Sequence, residues 1–414
     1  KRIRAATLAN LAEHLQTFEQ KATAVGTHVH WAATAEDARQ IILGIAQRRG
    51  AKLITKSKSM ATEEIKLNDA LETHGIEPVE TDLGEWIIQL ADEPPSHIIA
   101  PAIHQTKEQV AELFSEISGE TLSGDDIPTL TAVARRILRQ RFLDADIGVT
   151  GGNMLIAETG TLVLVENEGN ARLSTSAPPV HIALVGLEKT ARTWDDAAVW
   201  LSLLARSATG QPMSIYTSFI TGPARPSDPD GPEEMHIILL DNGRVDLIGT
   251  PYEEALQCIR CGACLNACPV YREAGGHAYG SPYSGPIGAV ISPLLFGLEK
   301  YEALPHASSL CGACKDVCPA RIDLPRMLLE LRKDEVERRI LPWRERKAEE
   351  AVAWLMTSEQ WLNLATGIGR IAQRPWVKGE ENTLVPPAFA PDLGRALPAL
   401  APKSFRQMWR EGEV

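Results

Sequence analysis

All seven cysteines of the 414-residue chain lie in one short window, between Cys258 and Cys318. A disulfide framework distributes an even number of cysteines through a small secreted domain, whereas a compact group in a long chain is typical of metal chemistry in a reducing compartment. The odd count and the narrow window therefore predict a metal-binding segment and a cytoplasmic protein.

The first cysteine motif reads CIRCGACLNACPV and contains Cys258, Cys261, Cys264 and Cys268, followed by Pro269. Its C-x2-C-x2-C-x3-C-P spacing is that of bacterial ferredoxins. In that arrangement the first three thiolates bind one iron–sulfur cluster, and the fourth cysteine binds a neighbouring cluster. The motif therefore predicts one half of a two-cluster site.

The second motif reads SSLCGACKDVCPA and repeats the same frame when the two motifs are aligned on their Cys-Pro ends, except that Ser308 occupies the first cysteine position. If the last cysteine of each motif binds the cluster of the other motif, the sequence predicts two [4Fe-4S] clusters with unequal ligand sets. Cluster 1 would take Cys258, Cys261, Cys264 and Cys318, and cluster 2 would take Cys268, Cys311 and Cys314.

Cluster 2 has only three thiolates in this assignment. Its fourth iron could take the Ser308 oxygen, a nitrogen of His277 or His306, a partner's side chain or a small molecule, or it could be lost to leave a [3Fe-4S] cluster. Structural zinc is the competing interpretation, because C-x2-C pairs commonly hold it. The repeated frame with its prolines, and seven ligands that do not divide into closed four-thiolate sites, favour iron–sulfur clusters.

Composition excludes several classes of protein. The chain has 42 basic and 54 acidic residues, a formal charge of −12, which disfavours binding to nucleic acid or to an anionic membrane surface. No apolar stretch reaches the length of about 18 residues that a membrane-spanning helix needs. No G-x-G-x-x-G after a strand, Walker loop or G-x-S-x-G motif is present. The sequence thus predicts an electron relay without a recognisable two-electron cofactor.

Helical and strand patterns alternate through the first 250 residues. Helices are predicted over 35–48 and 60–74, and strands over 52–55 and 76–80. The alternation continues with a further strand over 97–100. Such alternation implies βαβ units and a mostly parallel sheet, hence an α/β fold. The predicted domains are an α/β domain over 1–249, a mainly α-helical iron–sulfur domain over 250–335, and a helical and extended segment over 336–414.

Two residues of the α/β half are candidate catalytic residues. Glu158 lies between two apolar strand segments, so it is either a polar residue at a hairpin apex or a site carboxylate. Lys58 follows a predicted strand and precedes a helix beginning near Ser59, which is the corner where parallel sheets bind anions. A solvated surface charge is the alternative interpretation of Lys58.

The cysteine segment, with CIRCGACLNACPVYREAGGHAYGSPYSGPIGAV and LPHASSLCGACKDVCPARIDLPRMLLELR, closely resembles the lactate-utilisation protein B family. The upstream GVTGGNMLIAETGTLVLVENEGNARLSTSAPPVHI resembles that family's LUD domain, whose fold is similar to the NagB/RpiA/CoA-transferase α/β superfamily. PKSFRQMW in the tail resembles its C-terminal segment. The resemblance extends to the missing eighth cysteine at Ser308. It also implies a further N-terminal stretch before Lys1.

The resemblance implies an iron–sulfur subunit of a three-protein bacterial system that oxidises L-lactate to pyruvate. The implied partners are a CCG-domain cysteine-rich subunit and a second, smaller LUD protein, which would place the chain in the cytoplasm or, through its partners, on the inner face of the membrane. Two alternatives stay open: the substrate is glycolate or another 2-hydroxy acid, or the LUD half is a scaffold and the three-thiolate cluster binds the substrate as a Lewis acid.

Overall fold

The computed structural model describes residues 1–378, 383–384 and 397–413. The chain divides into two compact units, Lys1–Glu335 and Val336–Val414. Both cysteine motifs and the whole α/β half lie in the first unit.

Ten strands lie in the first unit. They are β1 His28–Ala32, β2 Leu53–Lys56, β3 Glu77–Glu80, β4 Ile147–Thr150, β5 Met154–Ile156, β6 Thr161–Glu166, β7 Val180–Gly186, β8 Thr190–Ala191, β9 Tyr216–Ile220 and β10 Glu234–Leu240. Six of them form an all-parallel sheet in the order β1-β10-β7-β4-β2-β3. The other four form a mixed sheet in the order β8-β5-β6-β9. The expected α/β class with a parallel sheet is confirmed.

Fifteen helices begin in the first unit. They are α1 Arg2–Ala9, α2 Leu11–Ala24, α3 Ala35–Arg49, α4 Met60–Glu64, α5 Leu67–Thr73, α6 Leu83–Leu90, α7 Lys107–Ser118, α8 Ile127–Asp144, α9 Asn170–Ser176, α10 Trp194–Thr209, α11 Ala263–Ala267, α12 Pro269–Ala274, α13 Gly285–Phe296, α14 Ala313–Asp316 and α15 Leu324–Glu337. Short 3-10 turns join several of them, including Leu187–Lys189 after β7 and Glu253–Gln257 before the first cysteine.

Local sequence explains why these elements form. Every residue of β7 is buried, as expected for a strand covered on both faces of a parallel sheet. At the start of α3, Thr34 and Asp37 cap each other's backbone N–H groups, and Gly50 ends the helix in the left-handed conformation with φ of 62°. The predicted helix over 35–48 is therefore confirmed to within one residue.

Two local predictions were wrong. The predicted helix over 60–74 is interrupted at Lys66, whose φ of 50° is left-handed and separates α4 from α5. The segment 97–100 forms bends instead of a strand, because His97 Nδ1 accepts hydrogen bonds from the backbone N–H groups of Ile99 and Ala100 at 3.0 and 3.1 Å. These hydrogen bonds from the backbone to the His97 side chain replace the backbone hydrogen bonds that a strand would make with a neighbouring strand.

The second unit contains α16 Trp343–Met356, α17 Glu359–Ala372 and α18 Phe405–Glu411, with short strands β11 Val377–Lys378, β12 Thr383–Leu384 and β13 Leu397–Pro398. Most of the Pro- and Ala-rich stretch over 385–402, expected to be extended, lies outside the described residues. Among the helices that the structure describes, none combines the length and apolar character needed to cross a membrane.

Candidate functional site

The two cysteine motifs share one backbone conformation. Arg260, the residue before Cys261, has a φ of 61°, and its N–H donates to Cys258 Sγ at 3.3 Å. Leu310 has a φ of 54°, and its N–H donates to Ser308 Oγ at 3.1 Å. The Ser308 oxygen therefore takes the same place in its turn as the Cys258 sulfur takes in the first motif.

Glycines complete the shared frame. Gly262 precedes α11 with a φ of 76°, and Gly312 precedes α14 with a φ of 86°. Both values lie in the left-handed region that glycine adopts at no steric cost, so each chain can turn sharply after its cysteine and begin a helix that carries the next one. The helices that carry the third cysteines, α11 and α14, pack against each other.

The seven thiols fall into two groups by mutual proximity. Burial raises the pKa of Cys264 well above its usual range, and the nearby Cys258, Cys261 and Cys318 raise it further. We call these four residues the cluster 1 site. Burial likewise raises the pKa of Cys314 to about 11, with contributions from Cys268 and Cys311. We call these three cysteines the cluster 2 site; the assignment of each group to its own cluster stays a prediction.

None of the cluster 1 cysteines is fully exposed: Cys261 is buried and the other three are half-buried. The four cysteines line a small cavity together with apolar side chains, among them Ile98, Ile259, Ile287 and Leu324. Over the described ranges, no three Cys, His, Asp or Glu side chains converge on a point that would hold a single metal ion. Four sulfurs that surround a cavity, instead of one point, are the arrangement that a polynuclear cluster needs.

Donors without acceptors lie close to the cluster 1 site. Arg4 Nε and Arg260 Nη1 are buried and have no hydrogen-bond partner among the described residues. Both guanidinium groups interact electrostatically with Cys258, as does Lys189. Buried donors normally find an acceptor, and the sulfur atoms of an iron–sulfur cluster accept such hydrogen bonds. The residues present therefore fit a bound anionic cluster.

The cluster 2 site is more open. Cys311 is exposed, whereas Cys268 and Cys314 are buried. The backbone N–H of Ala313 and the hydroxyl of Ser309 lower the pKa of Cys311, which favours its thiolate. The site thus has an accessible edge at Cys311.

The two histidines considered as ligands of cluster 2 have other partners. His277 Nε2 lies 2.8 Å from the carbonyl oxygen of Pro94, and His306 Nε2 lies 2.7 Å from Glu335 Oε2. Ser308 is the candidate fourth ligand whose side chain already occupies the corresponding place in the turn.

A cavity of about 290 Å³ opens at the carboxyl ends of β2, β4 and β7. Ligands of open α/β sheets bind at this edge. The lining includes Lys58, which contacts the carbonyl oxygen of Ile99 and lies 3.5 Å from Asp82. Glu158 is not among the lining residues: it lies in the β5–β6 turn, where its carboxylate accepts the Trp194 N–H at 3.0 Å.

A buried ionic network connects this cavity with the cluster 1 site. Arg244 donates to Glu64 at 2.7 and 2.8 Å and to Glu188 at 2.7 Å. Arg260 lies 3.6 Å from Glu188, and its guanidinium lies 4.6 Å from the centre of the Tyr283 ring. Arg260 and Ile98 line both cavities, so they form part of the wall between them.

Lys189 also lines the larger cavity, at the end of the 3-10 turn after β7. Burial lowers its pKa to about 7, and the positive charge of Arg260 contributes to the decrease. Sequence reasoning missed Lys189 and the Arg244 network because the partners are far apart in the chain. Only Arg260, a charged residue inside the first cysteine motif, offered a local signal.

Two family models match the chain: the LUD domain over residues 15–240 and the 4Fe-4S dicluster domain over residues 254–322. The chain is therefore an iron–sulfur protein in which a LUD domain precedes a two-cluster domain, and its seven cysteines serve two iron–sulfur clusters. It belongs to the lactate utilization protein B family, since several relatives of that name align with nearly all of it.

Three relatives illustrate the similarity. Lactate utilization protein B of Shouchella clausii is 44% identical over 413 residues, which cover 99% of this chain and 86% of that protein. The protein of the same name from Bacillus pumilus is 51% identical over 337 residues, 81% of this chain and 71% of that protein. An Escherichia coli protein called uncharacterized electron transport protein YkgF is 42% identical over 414 residues, 100% of this chain and 87% of that protein.

One solved structure is similar, that of a DUF162 family protein from Deinococcus radiodurans. The two chains are 16% identical, and the alignment covers 56% of this chain and 98% of that protein. The TM-score is 0.32.

Proposed function

We propose that this chain is the electron-transfer subunit of a multi-protein oxidoreductase that converts L-lactate to pyruvate. The observation that carries the proposal is that the cluster 1 site shares Arg260 and Ile98 with a cavity in the LUD half, while the cluster 2 site has an exposed edge at Cys311. The relatives named lactate utilization protein B support the substrate, and the relative named as an electron transport protein supports the role.

The proposed ligands follow from the shared frame of the motifs. Iron–sulfur clusters supply one-electron transfer at potentials set by their ligands, hydrogen bonds and exposure. Cys258, Cys261, Cys264 and Cys318 would hold cluster 1, and Cys268, Cys311 and Cys314 would hold cluster 2 with Ser308 as the fourth ligand. Cys311 would face the electron acceptor or a partner because it is the exposed cysteine.

The remaining proposals concern organisation. The LUD half is proposed to have the NagB/RpiA/CoA-transferase type of fold, with domain boundaries at residues 249 and 335. The partners are proposed to be a CCG-domain cysteine-rich subunit and a second LUD protein, with the assembly in the cytoplasm and, through those partners, at the inner face of the membrane. Lys58 remains a candidate catalytic residue because it lines the cavity, whereas the turn position of Glu158 supports a capping role.

The test is anaerobic co-purification of the chain with proteins encoded beside its gene, followed by addition of L-lactate. We expect the visible absorbance of the clusters to bleach and pyruvate to form only with the complete assembly. Glycolate and other 2-hydroxy acids form the comparison panel. Bleaching by glycolate without bleaching by L-lactate would reassign the substrate, and zinc in place of iron would contradict the proposal.

A further inference from the structure

Lys189 and Arg260 present cationic side chains in the wall of the 290 Å³ cavity of the first unit. The ammonium of Lys189 has no hydrogen bond or ion pair within the part of the chain that the structure describes, although the residue is 9% exposed. The side chain of Arg260 is 10% exposed, and its Nη1 has no partner there. Buried cationic groups normally find hydrogen-bond partners, so unsatisfied donors at the cavity wall indicate an anionic ligand in addition to the cluster.

Neighbouring carboxylates do not supply that partner. Glu188 accepts a hydrogen bond from Arg244 at 2.7 Å and lies 3.6 Å from Arg260, so its charge is divided between two guanidinium groups. Glu64 is bound by Arg244 through both of its oxygens. Among the described residues, no carboxylate forms an ion pair with Lys189, and Glu188 interacts with it only electrostatically.

Other parts of the lining offer hydrogen-bond acceptors. The carboxylate of Glu166 accepts the N–H groups of Ala171 and Arg172 at 2.7 and 2.8 Å, and Glu168 accepts the N–H of Leu83 at 3.1 Å. Burial raises the pKa of both carboxyls. These groups suit hydroxyl donors on a ligand. The cavity volume of about 290 Å³ is just below the range of about 300–1,000 Å³ for ligand pockets, which fits a small metabolite.

We propose that this cavity binds a small organic hydroxy acid or its oxo acid, with the ligand carboxylate held by the ammonium of Lys189 and the guanidinium of Arg260. Because Arg260 directly precedes Cys261 and lies two residues after Cys258, the bound carboxylate would lie beside the cluster 1 site. The inference deepens the proposed function by assigning the organic acid to the LUD half of this chain. It concerns binding, so it can be tested without turnover.

The test is isothermal titration calorimetry on the anaerobically purified full chain with both clusters loaded. The probes are L-lactate, glycolate, pyruvate and inorganic phosphate, the last to distinguish carboxylate recognition from general anion binding. We expect at least one of the acids to bind and phosphate to bind more weakly. Lys189→Met should weaken acid binding by about tenfold or more, since it removes one partner of a buried charge pair.

Two further variants control this experiment. Lys21→Met removes an exposed lysine of α2 outside the lining and should bind as the unmodified chain does. Ala208→Phe fills part of the cavity without removing a charge and should also weaken binding, so it decides the matter if Lys189→Met does not fold. Iron content and melting temperature establish that each variant is intact.

The proposal is overturned if no acid binds, if phosphate binds more tightly than the acids, or if Lys189→Met and Ala208→Phe bind as the unmodified chain does. It is also overturned if Lys189→Met shifts the midpoint potential of cluster 1 and leaves acid binding unchanged, because Lys189 would then serve the cluster alone. Acid binding in the isolated chain without lactate oxidation by the assembly would contradict the proposed function and leave the binding site standing.

Discussion

The cluster 1 and cluster 2 sites share a backbone frame but differ in ligands, burial and surrounding charge. The first has four cysteines around a small cavity, with Arg4, Lys189 and Arg260 close to Cys258. The second has three cysteines, one of them exposed. Since ligand identity, exposure and nearby charge all set the potential of an iron–sulfur cluster, we expect the two sites to hold clusters of unequal potential.

The two cluster sites also have different neighbours in the molecule. The cluster 1 site adjoins the cavity of the LUD half through Arg260 and Ile98, whereas the site with the exposed Cys311 is the one a partner can approach. One site is therefore suited to the substrate side of the relay and the other to the acceptor side. The predictions below test this contrast, beginning with the largest expected effect.

Cys261→Ala and Cys311→Ala form a matched pair, because the two residues occupy the same position of their motifs. Each variant should lose one cluster and about half of its iron. Cys261→Ala should also lower the melting temperature more, since Cys261 is buried and Cys311 is exposed. Iron and sulfide analysis with thermal unfolding checks this. Equal destabilisation, or loss of the same spectral component from both variants, would contradict the contrast.

Ser308→Cys should make the two ligand sets equivalent. We expect it to change the electron paramagnetic resonance (EPR) spectrum of cluster 2 and to move the midpoint potential of that cluster by on the order of 100 mV. The spectrum and midpoint potential of cluster 1 should stay the same. Ala307→Cys is the control, because it adds a thiol one residue outside the frame. If both variants change the spectrum alike, or if Ser308→Cys changes nothing, Ser308 does not occupy the eighth ligand position.

Arg260→Gln should lower the midpoint potential of cluster 1 by tens of millivolts, because removing a nearby positive charge disfavours the more negative, reduced cluster. Cluster 2 should be unaffected. Arg225→Gln, which changes an exposed arginine outside the cavity lining, should leave both potentials unchanged. A shift of cluster 2 instead of cluster 1 would exclude the proposed role of the buried guanidinium.

Controlled exposure to air should remove cluster 2 first. Cys311 is exposed and its thiolate is favoured, whereas no cysteine of the cluster 1 site is fully exposed, so oxidation should begin at Cys311. Spectra recorded during exposure should show a severalfold faster loss of the cluster 2 signal. Simultaneous loss of both signals would show that exposure of Cys311 does not control access.

The cysteine frame was predictable because the cysteines of each motif are close together in the sequence. Their spacing and the neighbouring glycines and prolines determine the turn that carries them. The position of Lys58 at the carboxyl end of β2 was predictable for the same reason. The Arg244 to Glu64 contact was not, because it joins residues 180 positions apart. Such pairs depend on how the strands are ordered in the sheet, which periodicity does not determine.

His97 shows a second limit of sequence reasoning. Its apolar neighbours suggested a strand, yet its ring nitrogen binds the backbone of the next residues and holds a bend. That bend places Ile98 in the wall shared by the cavity and the cluster 1 site. A side chain that competes with the backbone for hydrogen bonds thus changed the local structure at a functional position.

The most direct test of the account is a redox titration of the anaerobically purified chain, followed by EPR spectroscopy, beside the same titration of Ser308→Cys. The account predicts two clusters with separate midpoint potentials and distinct spectra, of which only the cluster 2 component changes in the variant. Two identical components in the unmodified chain, or a variant that alters both components, would contradict the inequality of the two sites.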